Sequence, residues 1–360
     1  MNIQPGEDAA EFAERDAWLR ALTVRMFELM HNFEKDNFDA VRYRGIAPNT
    51  FFFERHADYF GFFLKNSVNF FHARRLLSDK QSQALFDQLV LFRILGHMHV
   101  RLPFHTPGVL DYDSIVKPWK VADSNDVGMF GPLAIFAIPT DAGELRMKCW
   151  SGNVAASFLH SQYFYHRDAQ YVAPESGDEV IDGGGCFGDT ALVFANAVGK
   201  EGHVHTFDPL KKHCEIIRES IAMNPSLTKR ISVYEAGLAD EDNTGTPSHD
   251  RDSIIDPGAR IEVGGDLPTR SIDSLVNEGA ITRIDYIKMD IEGSELAALV
   301  GAEQALRTWR PKLAISLYHR PDDFFSIPLW LHSLGAGYQF FLDHYSIHHE
   351  ETVLYAHVPN

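Results

Sequence analysis

The 360-residue chain reads as an α/β protein, a doubly wound and mostly parallel sheet preceded by a mainly helical N-terminal region. Three observations carry this. From Asp178 onward, short β-branched runs alternate with helical stretches, the pattern of strands joined by crossover helices. A glycine-rich turn directly follows the first of these strands. The first third instead repeats apolar residues at three- and four-residue steps, and the pattern then breaks up, which places a helical auxiliary unit over 1–125 and the sheet unit over 126–360.

Taken in order, Leu19, Leu22, Met26, Leu29 and Phe33 form the single stripe of a half-buried helix. A second helix is predicted from near Asp79 to Leu95, with Ser78 as N-cap, Leu85, Leu89 and Phe92 inward, and Gly96 as its stop. The aromatic-rich stretch from Phe51 to Phe71 is read as core filling rather than as a greasy docking surface. Pro103, Pro107, Gly108 and Pro118 interrupt any helix, so a linker is expected from Pro103 to Asp126. Ile135 to Ile138 and Leu145 to Cys149 read as a hairpin.

The sheet is predicted as follows. Its first strand is Val180–Ile181, with a helix over Thr190–Ala197; the second is His203–Phe207, with a helix over Lys211–Ala222; the third is Ile231–Glu235. Ile284–Met289 is the fourth, with one helix over Glu295–Leu306, and Leu313–Leu317 is the fifth, with a helix over Asp322–Leu334. Gln339–Leu342 and Val353–His357 lack an intervening helix, so an antiparallel pair closes the sheet. The polar stretch from Ala239 to Gly258 reads as a surface loop.

Composition narrows the function. With 45% apolar residues the chain can bury a large core. A formal net charge of -17, from 33 basic against 50 acidic side chains, repels phosphate backbones and anionic headgroups and argues against nucleic-acid partners. Met1 to Glu14 has neither a basic nor an apolar leader segment, and no apolar run reaches the length of a bilayer span. Three widely spaced cysteines, Cys149, Cys186 and Cys214, suit a reducing setting, so a soluble cytoplasmic protein is expected. The histidine pairs His97/His99, His203/His205 and His348/His349 lack a third ligand at a recognisable spacing, and metal binding by them is not expected.

Asp182, Gly183, Gly184, Gly185, Cys186, Phe187 and Gly188 lie between a strand and a helix, where the backbone can approach a nucleotide-like ligand. Gly183, Gly185 and Gly188 fit GxGxxG, and Asp208 lies at the distance of a ribose-binding acid, which also suits an NAD(P)-dependent oxidoreductase. Asp182 argues for a different ligand, because a carboxylate before the first glycine would oppose a pyrophosphate but attract the sulfonium and ammonium of S-adenosylmethionine. Asp208 can accept from both ribose hydroxyls, or cap the following helix behind Pro209.

Asp290 and Glu292 follow the fourth strand at the crevice outside the strands' carboxyl ends, with Ser294 and Glu295 opening a helix. His319, after the fifth strand, brings to the same rim an imidazole with an ordinary pKa of about 6.5, able to take a proton near neutrality.

The motifs VIDGGGCFGDT, HTFDP, TRSIDSL, YIKMDIEGSELAAL, SLYHRPDDFFSIPLWL and ETVLYAHV together resemble the FkbM family of S-adenosylmethionine-dependent O-methyltransferases over about Asp178 to His357. Cys186 and Asp208 stand where members often carry asparagine and glutamate. The resemblance implies a class I methyltransferase fold, Rossmann-like with seven strands and the last antiparallel, and methyl transfer to a hydroxyl of a sugar, glycan or natural product. On that reading Asp182, Gly183, Gly184, Gly185, Gly188, Asp208 and Asp290 bind the cofactor, and either His319 or Asp290 takes the hydroxyl proton while the other orients the acceptor. A divalent cation such as Mg2+ on Asp290 and Glu292 is the alternative way to acidify the hydroxyl. A non-catalytic binding protein on the same fold is a third reading, with the N-terminal helices docking a partner or a second copy.

Overall fold

The structure, a computed structural model, describes residues 8–31, 53–103, 111–128, 131–247, 261–263 and 267–359. Phe33, Phe51, Phe52, Pro107, Gly108 and the predicted loop beyond residue 247 lie outside the described residues.

Helix α1 (Ala9–Met30) begins at Asp8, whose carboxylate accepts from Glu11 N at 2.8 Å, and buries Leu19, Leu22 and Leu29. Helices α2 (Phe53–Lys65) and α3 (Ser67–Leu76) carry the aromatic stretch into the core: Phe70 is fully buried and meets Phe63, Phe86 and Phe325 edge-on. Burying one such ring contributes about 1.5–3 kcal/mol, so this cluster ties the helices to the rest of the chain. Helix α4 (Lys80–Leu95) is capped by Asp79, not Ser78, because the Asp79 carboxylate satisfies both Ser82 N and Ser82 Oγ at 2.7 Å. Ser78 instead joins the sheet, donating its N–H to Phe340 O at 2.8 Å and accepting from Phe340 N at 3.1 Å.

The expected linker contains ordered elements. A short helix α5 (Tyr112–Val116) and a 3-10 turn lead into strand β1 (Lys120–Gly128), which pairs antiparallel with β2 (Gly131–Thr140). With β3 (Gly143–Cys149) the predicted hairpin becomes a three-stranded sheet. Helix α6 (Ser151–Val154) continues as a π turn over Ala155–Leu159, and a small hairpin of β4 (Tyr165–Arg167) and β5 (Gln170–Val172) follows.

The main sheet contains β6 (Glu179–Gly183), β7 (His203–Phe207), β8 (Ile231–Tyr234), β13 (Tyr286–Met289), β14 (Lys312–Ser316), β15 (Gln339–His344) and β16 (Thr352–His357), in the order β15-β16-β14-β13-β6-β7-β8. β16 lies antiparallel between β14 and β15, and the remaining strands are parallel. Helices α7 (Asp189–Ala197) and α8 (Lys211–Ala222) follow β6 and β7 as predicted. The chain turns one way from β6 to β7 and β8 and the other way from β13 to β14, so the β6/β13 junction is the topological switch point where open α/β sheets bind ligands.

Between β8 and β13 a second small sheet, of β9 (Gly237–Leu238), β10 (Asn243–Pro247), β11 (Ile261–Val263) and β12 (Leu267–Arg270), replaces part of the expected loop and leads into α9 (Ile272–Asn277). The single helix expected over Glu295–Leu306 is two, α10 (Glu295–Val300) and α11 (Glu303–Trp309). The break falls at Gly301, which packs so closely on residue 239 that an added Cβ would lie 2.2 Å from Ala239 O. Helix α12 (Asp323–Ser333) completes the layer, and α1 to α4 share one apolar core with α9 to α12 and one face of the sheet. The other face packs against α7, α8 and the three-stranded sheet. Among the described residues no helix is long and apolar enough to cross a membrane.

Candidate active site

The glycine turn is built to pass close to two strand ends. Gly184 and Gly185 both donate to Phe207 O at 2.9 Å. Gly184 has φ +80°, and a Cβ there would lie 2.0 Å from Asp290 O; at Gly185 it would lie 2.3 Å from Thr206 Oγ1. The turn therefore seats on β7 on one side and on residue 290 on the other. Gly183 ends β6 beside β13, and Gly188, at φ +84°, is the N-cap of α7.

Asp208 ties the turn to the next helix. Its Oδ2 accepts from Cys186 N at 2.9 Å, its Oδ1 accepts from Leu210 N at 2.9 Å, and His213 Nδ1 lies 3.1 Å from both oxygens. A carboxylate has about four lone-pair sites, so three protein donors leave room for about one ribose hydroxyl rather than two. The helix it precedes has Leu210 as N-cap, so Asp208 forms a turn with residue 210 instead of capping the helix itself.

Asp182 is placed differently from the sequence reading. It is fully buried, accepts from Thr190 Oγ1 at 3.0 Å and Thr206 Oγ1 at 2.9 Å, and lies 3.2 Å from Lys288 Nζ. Lys288 in turn donates to Gly183 O and Gly184 O at 2.9 and 2.8 Å. The Asp182 charge is thus compensated beneath the turn, and the sign argument that favoured a cationic ligand cannot rest on it.

The carboxylate that remains at the crevice is Asp290. Tyr163 and Tyr318 hydroxyls donate to its two oxygens at 2.8 Å each. Burial works to raise its pKa, but His319, Lys288 and the two hydroxyls hold it below its ordinary value. Burial and the Asp290 charge push both tyrosines well above their ordinary range, so they remain protonated donors.

His319 has three acidic neighbours: its Nδ1 lies 2.8 Å from Glu295 Oε1, and its Nε2 lies 3.4 Å from Asp290 and 3.5 Å from Glu292. Burial works to discharge the imidazole, but Glu295, Glu292 and Asp290 outweigh it and push the pKa up to about 11. The three carboxylates thus favour the imidazolium over the neutral ring that a base requires. The same arrangement does not fit the Mg2+ site expected on Asp290 and Glu292. The imidazole edge of His319, with Nε2 3.4 Å from Asp290 and 3.5 Å from Glu292, stands between the two carboxylates, whereas Mg2+ demands an octahedral oxygen shell. Asp290, Glu295 and His319 offer ligand atoms within 4.8 Å of one another, but each His319 nitrogen already faces a carboxylate.

The strand histidines are structural: His203 pairs with Ser232, and His205 with Glu179 and Tyr234. Gln162 and Tyr163 lie outside every motif read from the sequence, and Glu351 opens the ETVLYAHV motif without a role being given to it; they reach this rim from distant segments, where Gln162 Nε2 donates to Glu351 Oε2 at 2.7 Å. Tyr318 lay inside a quoted motif beside His319 and could have been found there. A cavity of about 290 Å³ lies elsewhere, between α1, α2 and α4, lined by Leu19, Leu22, Met26, Phe63 and Leu91.

Residues 182–340 match the model of the methyltransferase FkbM domain. Among solved structures, a methyltransferase FkbM from Methylobacillus flagellatus KT is 20% identical, with 88% of this chain and 65% of that chain covered and a TM-score of 0.54. An Aeropyrum pernix fibrillarin with natively bound S-adenosyl-L-methionine is 11% identical over 66% of this chain and 98% of that one, TM-score 0.36. An O-methyltransferase from Bacillus cereus in complex with SAH is 15% identical over 58% and 80%, TM-score 0.34. This chain spans 65% of the length of the Methylobacillus protein, and no curated protein matches it. The match covers the glycine turn, Asp208, Asp290 and His319, and the Methylobacillus structure shares the class I, Rossmann-like fold with this chain.

Proposed function

We propose that the protein transfers the methyl group of S-adenosylmethionine to a hydroxyl of a sugar, glycan or natural product, with Asp290 as the base. The observation that carries this reading is the Asp290 carboxylate at the β6/β13 switch point, beside the glycine turn and oriented by two tyrosine hydroxyls. Gly183, Gly184, Gly185 and Gly188 supply the close backbone approach to the nucleoside, and Asp208 supplies one hydroxyl contact. S-adenosylmethionine brings an electrophilic sulfonium methyl. The chain's residues align the acceptor oxygen with it, and such orientation recovers about 7–11 kcal/mol of barrier.

As the methyl transfers, the hydroxyl proton passes to Asp290, a step worth roughly 10²–10⁴ in rate. His319, as imidazolium, holds Asp290, Glu292 and Glu295 in place and orients rather than accepts. The negative charge that suits a sulfonium resides on Asp290 instead of Asp182. Self-association is assigned to the helical unit, residues 1–125, where Val24, Phe27 and Met30 of α1 are more than half exposed. Free Cys149, Cys186 and Cys214 suit a reducing, cytoplasmic setting. Calorimetric titration with S-adenosylmethionine, S-adenosylhomocysteine and NAD tests the cofactor: the two sulfur compounds should bind and NAD should not, and binding of NAD alone would overturn the reading.

A further inference from the structure

A row of polar groups leaves Asp290 in the direction of the loop between β15 and β16. Asp290 accepts from Tyr163, Gln162 Nε2 lies 3.3 Å from the Tyr163 hydroxyl, and the same Nε2 donates to Glu351 Oε2 at 2.7 Å. Gln162 and Tyr163 are buried, whereas Glu351 keeps partial exposure at the outer end of the row. Glu351 also lies close enough to Tyr163 and Tyr318 to raise the pKa of both hydroxyls. Its backbone is held at φ +66°, with its carbonyl accepting from Tyr345 N at 3.0 Å, and α4 braces the same loop through Arg93 Nη2, which donates to His349 O at 3.1 Å. The row runs hydroxyl, amide, carboxylate from the proposed base, and its partly exposed end, Glu351, presents a fixed acceptor suited to a hydroxyl.

The charge of this rim narrows the choice further. Asp290, Glu292 and Glu351 face it, against His319 and the Arg320 side chain that lies across Gly293, while Lys288 lies beneath the turn against Asp182. Glu295, fully buried, is taken up by His319 and by Ile291 N, which donates to its Oε1 at 2.8 Å. In a low-dielectric crevice a phosphorylated acceptor would meet repulsion there, while a neutral or cationic one would not.

Resting on the methyltransferase reading, we propose that Glu351, oriented by Gln162, binds a hydroxyl of the acceptor and that the rim selects neutral or amino-bearing polyols over phosphorylated ones. The test uses S-[methyl-³H]adenosylmethionine, the full chain and a small-molecule cell extract separated by ion exchange into anionic, neutral and cationic fractions. Label should enter the neutral or cationic fraction, and E351Q should raise KM for the labelled fraction by about tenfold to a hundredfold, the loss of one charged hydrogen bond. Its affinity for S-adenosylmethionine and its melting temperature should stay as in the parent. Label confined to the anionic fraction, or an unchanged KM in E351Q, would overturn the proposal. Absence of label from every fraction while S-adenosylmethionine still binds would instead overturn methyl transfer itself.

Discussion

Two buried acid–base groups lie at the same switch point, one under the glycine turn and one on its rim, and they behave as opposites. Asp182 and Lys288 form a closed unit in which two threonine hydroxyls and two carbonyl oxygens complete the hydrogen bonding. Asp290 and His319 form an open one, with a surplus of carboxylates around a single cation. A carboxylate beside a cation thus supports the fold in the first case and offers a reaction surface in the second. What separates them is whether each charge is already neutralised within the protein.

The sharpest way to break this contrast is Lys288→Met. Removing one member of a buried pair leaves an uncompensated charge and should cost about 3–5 kcal/mol of stability, read as a lower urea midpoint. A variant as stable as the parent would show that the unit under the turn is not closed. Next in size, Asp290→Asn should lower turnover roughly 10²–10⁴-fold while leaving the affinity for S-adenosylmethionine within a few-fold; equal losses in both would make Asp290 a cofactor ligand only. Asp208→Asn should act on cofactor affinity, by about tenfold for one weakened charged hydrogen bond, with turnover at saturation nearly kept.

A pH dependence tests the charge on His319. The folded pKa of His319 is raised to about 11 from an ordinary value of about 6.5, so its stabilising contribution is complete below pH 6.5 and fades as pH climbs toward 11. Thermal melts between pH 7 and 10 should therefore fall more steeply for the parent than for His319→Gln. His319→Ala should lower turnover more than cofactor affinity. A rise in turnover between pH 6 and 7 that disappears in His319→Gln would restore the imidazole as a base.

The parallel strands were legible because they are buried on both faces and read as apolar runs bounded by charge: strand His203–Phe207, like the helix Lys211–Ala222 after it, has the same limits in sequence and structure. β1 was not, since Lys120–Gly128 is polar and largely exposed and gains its place only by pairing with β2. The break at Gly301 answers to a contact with Ala239, sixty-odd positions away, which no local pattern reports. At the site, the glycine turn, Asp208, Asp290 and His319 were legible as short motifs. The charge state of His319 was not, because it depends on how closely three carboxylates approach one ring. Tyr163 and Gln162 escaped notice, and Glu351 had no role beyond its motif, because the row they form toward Asp290 exists only in tertiary structure.

The insertion of β16 between β14 and β15 has a consequence for how the chain matures. Until Thr352–His357 docks, β14 lacks its outer neighbour and β15 has no strand partner in the sheet, so an emerging polypeptide carries two unprotected edges and an incomplete Glu351 loop. Such edges invite pairing with other nascent chains. Productive assembly of the sheet therefore waits for the seventh strand, and a fragment stopping near residue 350 should accumulate in inclusion bodies.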